Sequence, residues 1–330
     1  MLSQIPILDL FTSSNPGLFH GNTAIGLYLG LTNRTLAKSI ITKEIHGLKS
    51  LSNDLSLEDS IIGVVPFINI LATRQFRQPL TALLEEVDSI IYKQAGYLNH
   101  KLDILQSTHL SLYLSYRLSM TEQTPIHKSL WLSISSSLTE TILNSFSTIV
   151  SRSNCFSLYY SQAFYLSCFL LSLKSGLDHN IFRKKFVAIL PNVLECFPNS
   201  SANKLYLLLV LQNISNELQL NNINLNKHIK LLSTCISLND IEEELKNKIY
   251  VGDGLCGLYM ICHYLKSDYS FLNRLSKYIS KQIETSNEIR RLYNNSSYLS
   301  NHIGLWNGIG GILLTSLLIR LNNIRNEFNK

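Results

Sequence analysis

Two kinds of apolar pattern alternate along this chain. One is a run that is apolar on every side, as in residues 164–173, 205–211 and 309–314. The other is one-sided: in residues 79–95, Leu80, Leu83, Leu84, Val87, Ile90 and Ile91 recur at intervals of three and four. That spacing predicts an amphipathic helix with one wet face, whereas a run apolar all round predicts a helix buried on all sides. Their alternation predicts an inner layer of buried helices wrapped by an outer layer.

Each fully apolar run follows a short turn, and the turns resemble one another. The clearest are Phe19-His20-Gly21-Asn22-Thr23-Ala24-Ile25-Gly26, Gly252-Asp253-Gly254-Leu255-Cys256-Gly257-Leu258 and Ile303-Gly304-Leu305-Trp306-Asn307-Gly308-Ile309-Gly310-Gly311. Worn copies stand at Asp59-Ser60-Ile61-Ile62-Gly63, Asp103 to Leu110, Leu158-Tyr159-Tyr160-Ser161-Gln162-Ala163 and Asn199-Ser200-Ser201-Ala202-Asn203. Their first small-residue slots, at 21, 60, 107, 160, 200, 254 and 308, lie 39, 47, 53, 40, 54 and 54 residues apart. Such a period holds two helices and their turns, the mark of a repeat architecture.

Seven pairs without polar capping repeats predict an all-α, single-domain (α/α)7 toroid over residues 1–330, with seven inner and six to seven outer helices. Glycines at the inner starts suit helix ends converging on one axis, where a Cβ has little room. Pro66 is expected in a first helical turn, where proline is tolerated. An outer helix after the seventh inner one is missing, which leaves a sector open to the 5–11 segment or to a partner.

Composition narrows this picture modestly. Hydrophobic residues make up 45% and charged residues 16%, as expected of a helical chain with a large core. No apolar run reaches the length of a membrane span, and the N-terminus has no basic start, so neither a transmembrane segment nor a signal peptide is expected. The net charge of +6 is diffuse, clustered only at Arg183-Lys184-Lys185 and Arg290-Arg291, which argues against nucleic acid as a partner. Six cysteines without a C-x-x-C pair suit buried, reduced thiols and a cytoplasmic location.

The motifs His20-Gly21-x-x-Ala24-Ile25, Gly254-Leu255-Cys256-Gly257-Leu258 and Gly304-Leu305-Trp306-Asn307-Gly308-Ile309-Gly310-Gly311-Ile312 resemble those of the lanthionine synthetase C-like family. The resemblance implies an (α/α)7 toroid. It also implies a zinc-dependent cyclase that adds a peptide cysteine thiol across a dehydroalanine or dehydrobutyrine made by a partner dehydratase. Zinc in that family holds the thiol as thiolate, the nucleophilic form.

This sequence departs from the family at each metal-binding slot. The fifth-repeat Trp-Cys-x-Gly is replaced by Pro198-Asn199-Ser200-Ser201, the sixth-repeat Cys-His by Gly252-Asp253, and the fourth-repeat His-Gly by Tyr159-Tyr160. No cofactor is therefore expected. Cys262-His263 lies too far down the sixth inner helix to replace the lost pair. Cys256 is either small packing or a thiol facing the central cavity.

The residues just before the seven slots are His20, Asp59, Gln106, Tyr159, Asn199, Asp253 and Asn307, all polar. In a toroid they ring the mouth of the cavity, with Tyr160, His109, Cys256 and Trp306 adding wall. Two readings fit them. Helix N-capping accounts for the Asp and Asn residues; alternatively an Asp orients His20 as acid or base, His20 and Asp253 being the candidate catalytic pair. The expected function is a zinc-less cyclase-like subunit that binds a precursor peptide and a dehydratase or other modification enzyme. A metal-independent cyclase is the alternative, and a carbohydrate-active α/α barrel using Asp59 and Asp253 a further one. The acidic run 240–244 reads as the first turn of a solvated helix.

Overall fold

In a computed structural model of the chain, residues 11, 16–51, 55–77, 80–98, 102–120, 124–146, 155–158, 162–285, 287, 290 and 302–328 are described. Fourteen α-helices run through them, and no strand is present among the described residues. The expected alternation is there. Apolar helices α1 (Thr23–Thr32), α3 (Ile61–Phe76), α5 (Ile104–Leu118), α7 (Gln162–Lys174) and α9 (Ser201–Glu217) are followed by one-sided helices α2 (Arg34–Gly47), α4 (Thr81–Leu98), α6 (Pro125–Asn144), α8 (His179–Glu195) and α10 (Ile223–Thr234). After a short α11 (Leu238–Glu244) come the pair α12 (Leu255–Tyr264) and α13 (Tyr269–Thr285), and finally α14 (Ile309–Phe328).

Burial separates the two kinds of helix. In α9 every residue from 205 to 211 is buried, whereas α10 buries only Leu225, His228 and Leu232. The one inner start that departs from the expected register is α5. Asp103 caps it, accepting from Gln106 N–H at 2.7 Å while the Gln106 side chain returns to the Asp103 N–H, so the helix begins ahead of Ser107.

Three further expectations are corrected. Pro66 lies in the second turn of α3, inside the helix, where it removes one ladder hydrogen bond. Cys155 and Cys235 are exposed, while Cys168, Cys256 and Cys262 are buried and all six thiols are free. Of the acidic run, Asp240 and Glu243 are solvated, but the Glu244 carboxylate accepts from Ser201 N–H at 2.9 Å, Ala202 N–H at 3.5 Å and the Ser200 hydroxyl. It sits at the positive end of α9, whose first amides have no partner within the helix.

The described helices gather into two compact units. Unit 1 holds α1 to α3, most of α4, and α12 to α14; there α1 packs against α2, α3 and α14. Unit 2 holds α5 to α11 with the 264–267 turn. In it α7 packs between α5 and α9, while α8 packs against both α6 and α10.

Direction in unit 2 is fixed by cross-helix bonds. The Ser111 hydroxyl meets Ser172 at 2.9 Å, and one turn later Ser175 donates to Ser115 O at 3.3 Å, so α5 and α7 are parallel. Asn203 bonds to the loop before α7, and Tyr206 meets Ser167 at 2.7 Å, which makes α9 parallel to both.

Candidate functional site

The turns before α12 and α14 have one backbone design. Leu255, Cys256 and Gly257 N–H donate to the carbonyls of Lys248, Ile249 and Tyr250 at 2.9, 3.3 and 3.5 Å. Ile309, Gly310 and Gly311 N–H donate to those of His302, Ile303 and Gly304 at 2.8, 3.0 and 3.3 Å. In each, the loop doubles back and its carbonyls satisfy three amides that the helix start leaves without partners. Glycine is what allows so close an approach. A Cβ on Gly257 would lie 1.9 Å from Val251 O, one on Gly311 2.1 Å from Leu305 O, and one on Gly63 2.2 Å from Leu57 O. In all three the blocking carbonyl belongs to the residue six positions earlier, which is why the second small slot of the repeat is small.

These turns are stitched together in unit 1. Val251 and Gly252 N–H donate to Trp306 O at 3.1 and 2.9 Å, Leu305 N–H to Leu18 O at 2.9 Å, and Leu18 and Phe19 N–H to Glu58 O at 3.2 and 3.3 Å. The sixth, seventh, first and second turns thus follow one another in space. At their centre the Trp306 indole stacks on Phe19, with centroids 4.8 Å apart and planes 7° from parallel. The Gly252 backbone also closes on the indole: a Cβ there would meet Nε1 at 2.4 Å.

Beside this stack, Asp59 joins the first and second turns. Its Oδ1 accepts from Phe19 and His20 N–H, both at 3.1 Å, and its Oδ2 accepts from His20 Nδ1–H at 2.7 Å. Asp59 is therefore a staple across turns and not a cap on its own helix. With Nδ1 carrying the proton, the His20 Nε2 lone pair is the free one on a side chain 70% exposed. Such a nitrogen can accept a proton or polarise a ligand hydroxyl or thiol. Asp253 and Asn307 are exposed on the neighbouring turns.

The other predicted residues are placed differently. Cys256 is fully buried, and burial pushes its thiol up to about 12, with the Thr315 hydroxyl pulling the other way. It is packing, not a poised thiolate. Cys262 is buried too and its thiol raised by burial, while the neighbouring His263 is half-buried, stacks on Tyr259 and meets Asn322 Nδ2 at 3.1 Å. Gln106, His109 and Asn199 belong to unit 2, where Gln106 closes the α5 capping box and His109 is buried inside α5. Burial holds the His109 imidazole down near 4, with Asp103 opposing. Tyr159 and Tyr160 lie outside the described residues.

The zinc that the motif resemblance implies does not fit here. The first residue of the sixth-repeat slot is Gly252, and the space for any side chain on it is taken by Trp306. Among the described residues no three His, Cys, Asp or Glu side chains are grouped to hold a metal ion.

Two clusters had no signal in the sequence. Thr23 donates to the buried Glu44 carboxylate at 2.8 Å, and burial raises that carboxyl, with Thr23 and Lys43 opposing. The Phe11 ring packs against Gly26, and its carbonyl accepts from Asn22 Nδ2 at 2.7 Å and from Lys43. Residues 5–10, expected as filler beside it, lie outside the described residues. Among the described residues no helix is long and apolar enough to cross a membrane. No family model, curated protein or solved structure matches the chain.

Proposed function

We propose that the chain is a zinc-less relative of the lanthionine synthetase C-like cyclases. In this reading its seven helix pairs close into a toroid, and it binds a precursor peptide within a peptide-modification complex. One observation carries the reading: the metal-ligand slot of the sixth repeat has become the seat of Trp306, while the turn geometry of the repeat is kept. The packing of α1 against α14 and the order of turns six, seven, one and two support closure of the ring. The half-buried Trp306, backed by the buried Phe19, offers a flat aromatic surface beside His20, and Asp253 and Asn307 add polar groups, a setting suited to a peptide. The partner would be the enzyme that makes or uses that peptide, such as a dehydratase.

The test pairs elemental analysis of the purified protein with capture of the precursor peptide and modification enzymes encoded beside it. Expected are zinc far below one per chain and capture that Trp306→Ala abolishes. Stoichiometric zinc that Cys256→Ser removes would overturn the proposal.

A second reading, a metal-independent cyclase, is favoured by the Asp59-held His20. It predicts that His20→Ala and Asp59→Asn stop thioether formation in a reconstituted reaction without weakening capture. Undiminished product from both variants would exclude it. Asp253 has no bond to His20, so in this reading it contacts the substrate.

A further inference from the structure

Along its last turns α9 changes from an apolar helix to one with a polar face. Leu209, Gln212, Asn213 and Asn216 recur at intervals of three and four residues and so share that face. Together with Asn226 of α10 and the turn at Lys266 it lines a cavity of about 440 Å³, within the size range of small-ligand sites. Every wall of this cavity belongs to unit 2.

One wall is tied down by a bond across the cavity's edge. Asn213 Nδ2 donates to Leu209 O at 2.9 Å within α9 and to Leu265 O at 3.2 Å in the turn. Lys266 follows at φ +55°, the left-handed conformation that favours glycine just past a helix end. A lysine there costs backbone energy that glycine would not.

The polar groups facing the cavity are nearly all of one kind. Gln212, Asn216 and Asn226 are exposed carboxamides whose side chains make no hydrogen bond among the described residues, and Asn213 Oδ1 is likewise free. Lys266 is the one charged residue of the lining and pairs with no carboxylate among the described residues. A carboxamide sets an acceptor beside a donor, the complement of the N–H and C=O of a peptide group. Several of them along two helices suit a ligand built of repeated amides. Leu209, Ile229 and Leu265 form an apolar floor for an aliphatic side chain, and the Lys266 ammonium is a point charge for a carboxylate. Sugar hydroxyls can use the same carboxamides, but the apolar face of a sugar packs on an aromatic ring, and no aromatic residue lines this cavity.

We infer that this cavity binds a short extended peptide segment, its backbone paired with Gln212, Asn216 and Asn226, an aliphatic side chain on the floor and a carboxylate on Lys266. That carboxylate belongs to an acidic side chain or to a chain terminus. The site uses none of the residues on which the reading of unit 1 rests.

The probes are three N-acetylated tripeptides: Ala-Leu-Glu amide, Ala-Leu-Gln with a free carboxyl end, and the neutral Ala-Leu-Gln amide. Binding is read from NMR shifts of the side-chain amides in the isotope-labelled full chain. Expected are saturable shifts at Gln212, Asn216 and Asn226, with at least one charged probe bound about fivefold tighter than the neutral one. The charged probe that gains identifies the source of the carboxylate. The double variant Asn216→Ala, Asn226→Ala is expected to weaken every probe about tenfold, while Asn224→Ala, an exposed neighbour outside the cavity, binds as the parent does. Lys266→Gly separates binding from folding: the left-handed strain is relieved, so the urea midpoint is expected to hold or rise while the preference for charge is lost. If the double variant unfolds, Gln212→Ala carries the test with a loss of about threefold. No saturable shift with any probe, equal binding of all three, or undiminished binding by a folded variant would overturn the inference. So would saturation by cellobiose with none by the peptides.

Discussion

Units 1 and 2 solve one problem in two ways. Every buried helix has to satisfy its first amides, and in unit 1 the α12 and α14 starts do so with the backbone of the loop before them. In unit 2 the α5 and α9 starts use side chains: Asp103 with Gln106, and Ser200 with Glu244. Backbone capping brings a carbonyl onto the helix and demands glycine, as at Gly257 and Gly311. Side-chain capping leaves room at the same helical position for Gln106 and Asn203, and both use it: Gln106 returns to the Asp103 N–H, and Asn203 turns its amide to the loop at Cys155 and Ser157. The third and fifth repeats, worn in sequence, have therefore changed their capping chemistry and kept their helices.

The largest expected effect breaks the backbone design. Gly257→Ala or Gly311→Ala places a methyl about 2 Å from a carbonyl oxygen, which only movement of the loop can relieve. A loss of about 3 kcal/mol or more is expected in urea titration. Gly176, which ends α7 in unit 2, is the contrast. Its φ is +109° but the nearest atom to a Cβ is 3.9 Å away, so Gly176→Ala meets only backbone strain, about 1–2 kcal/mol.

Acid should separate the units next. His109 in unit 2 is held down near 4, below its ordinary 6.5, so the unfolded chain binds the proton first. Its contribution is complete above pH 6.5 and is lost as pH falls toward 4, on the order of 2–3 kcal/mol. Glu44 in unit 1 is raised, so between its ordinary 4.5 and its folded value the native state holds the extra proton. Its contribution is complete below pH 4.5 and is lost as pH rises. Hydrogen exchange at pH 4.5 against pH 7 is expected to show α5 loosened relative to α1 and α2, with His109→Asn and Glu44→Gln each removing its own share.

Smaller effects sharpen the comparison. Glu244→Ala removes the acceptor for two backbone amides at the start of α9, at about 1–2 kcal/mol, measured as a drop in the urea midpoint. Asp103→Ala is expected to lower the midpoint by about 1 kcal/mol, with protection lost only in the first turn of α5.

Much of the fold could be read from the chain. Helices at 201–217 and 309–328 follow from all-round apolarity, and the inner starts other than that of α5 follow from the spacing of turn residues. The register slip at α5 could not be read, because Ser107 resembles a turn residue while the Asp103–Gln106 box, three residues upstream, sets the start. Of the candidate site, the placement of Asp59 beside His20 followed from the first and second repeats being consecutive. Two features were not legible: the Asp59 carboxylate as a staple across two turns, and Trp306 in the side-chain space of Gly252.

What the sequence by itself determined is the helical layering, since periodicity and small-residue spacing act through local geometry and need no partner. Only the tertiary structure decided which carbonyl each glycine admits, that Asp59 rather than Asp253 holds His20, and that Glu44 and Glu244 are drawn inward. The carboxylate outcomes depend on groups brought together from positions 21, 39 and 43 residues apart, and the glycine contacts on loops that double back over six residues and are held by the neighbouring turns. A turn's composition states that a close approach is allowed; the fold alone says what approaches.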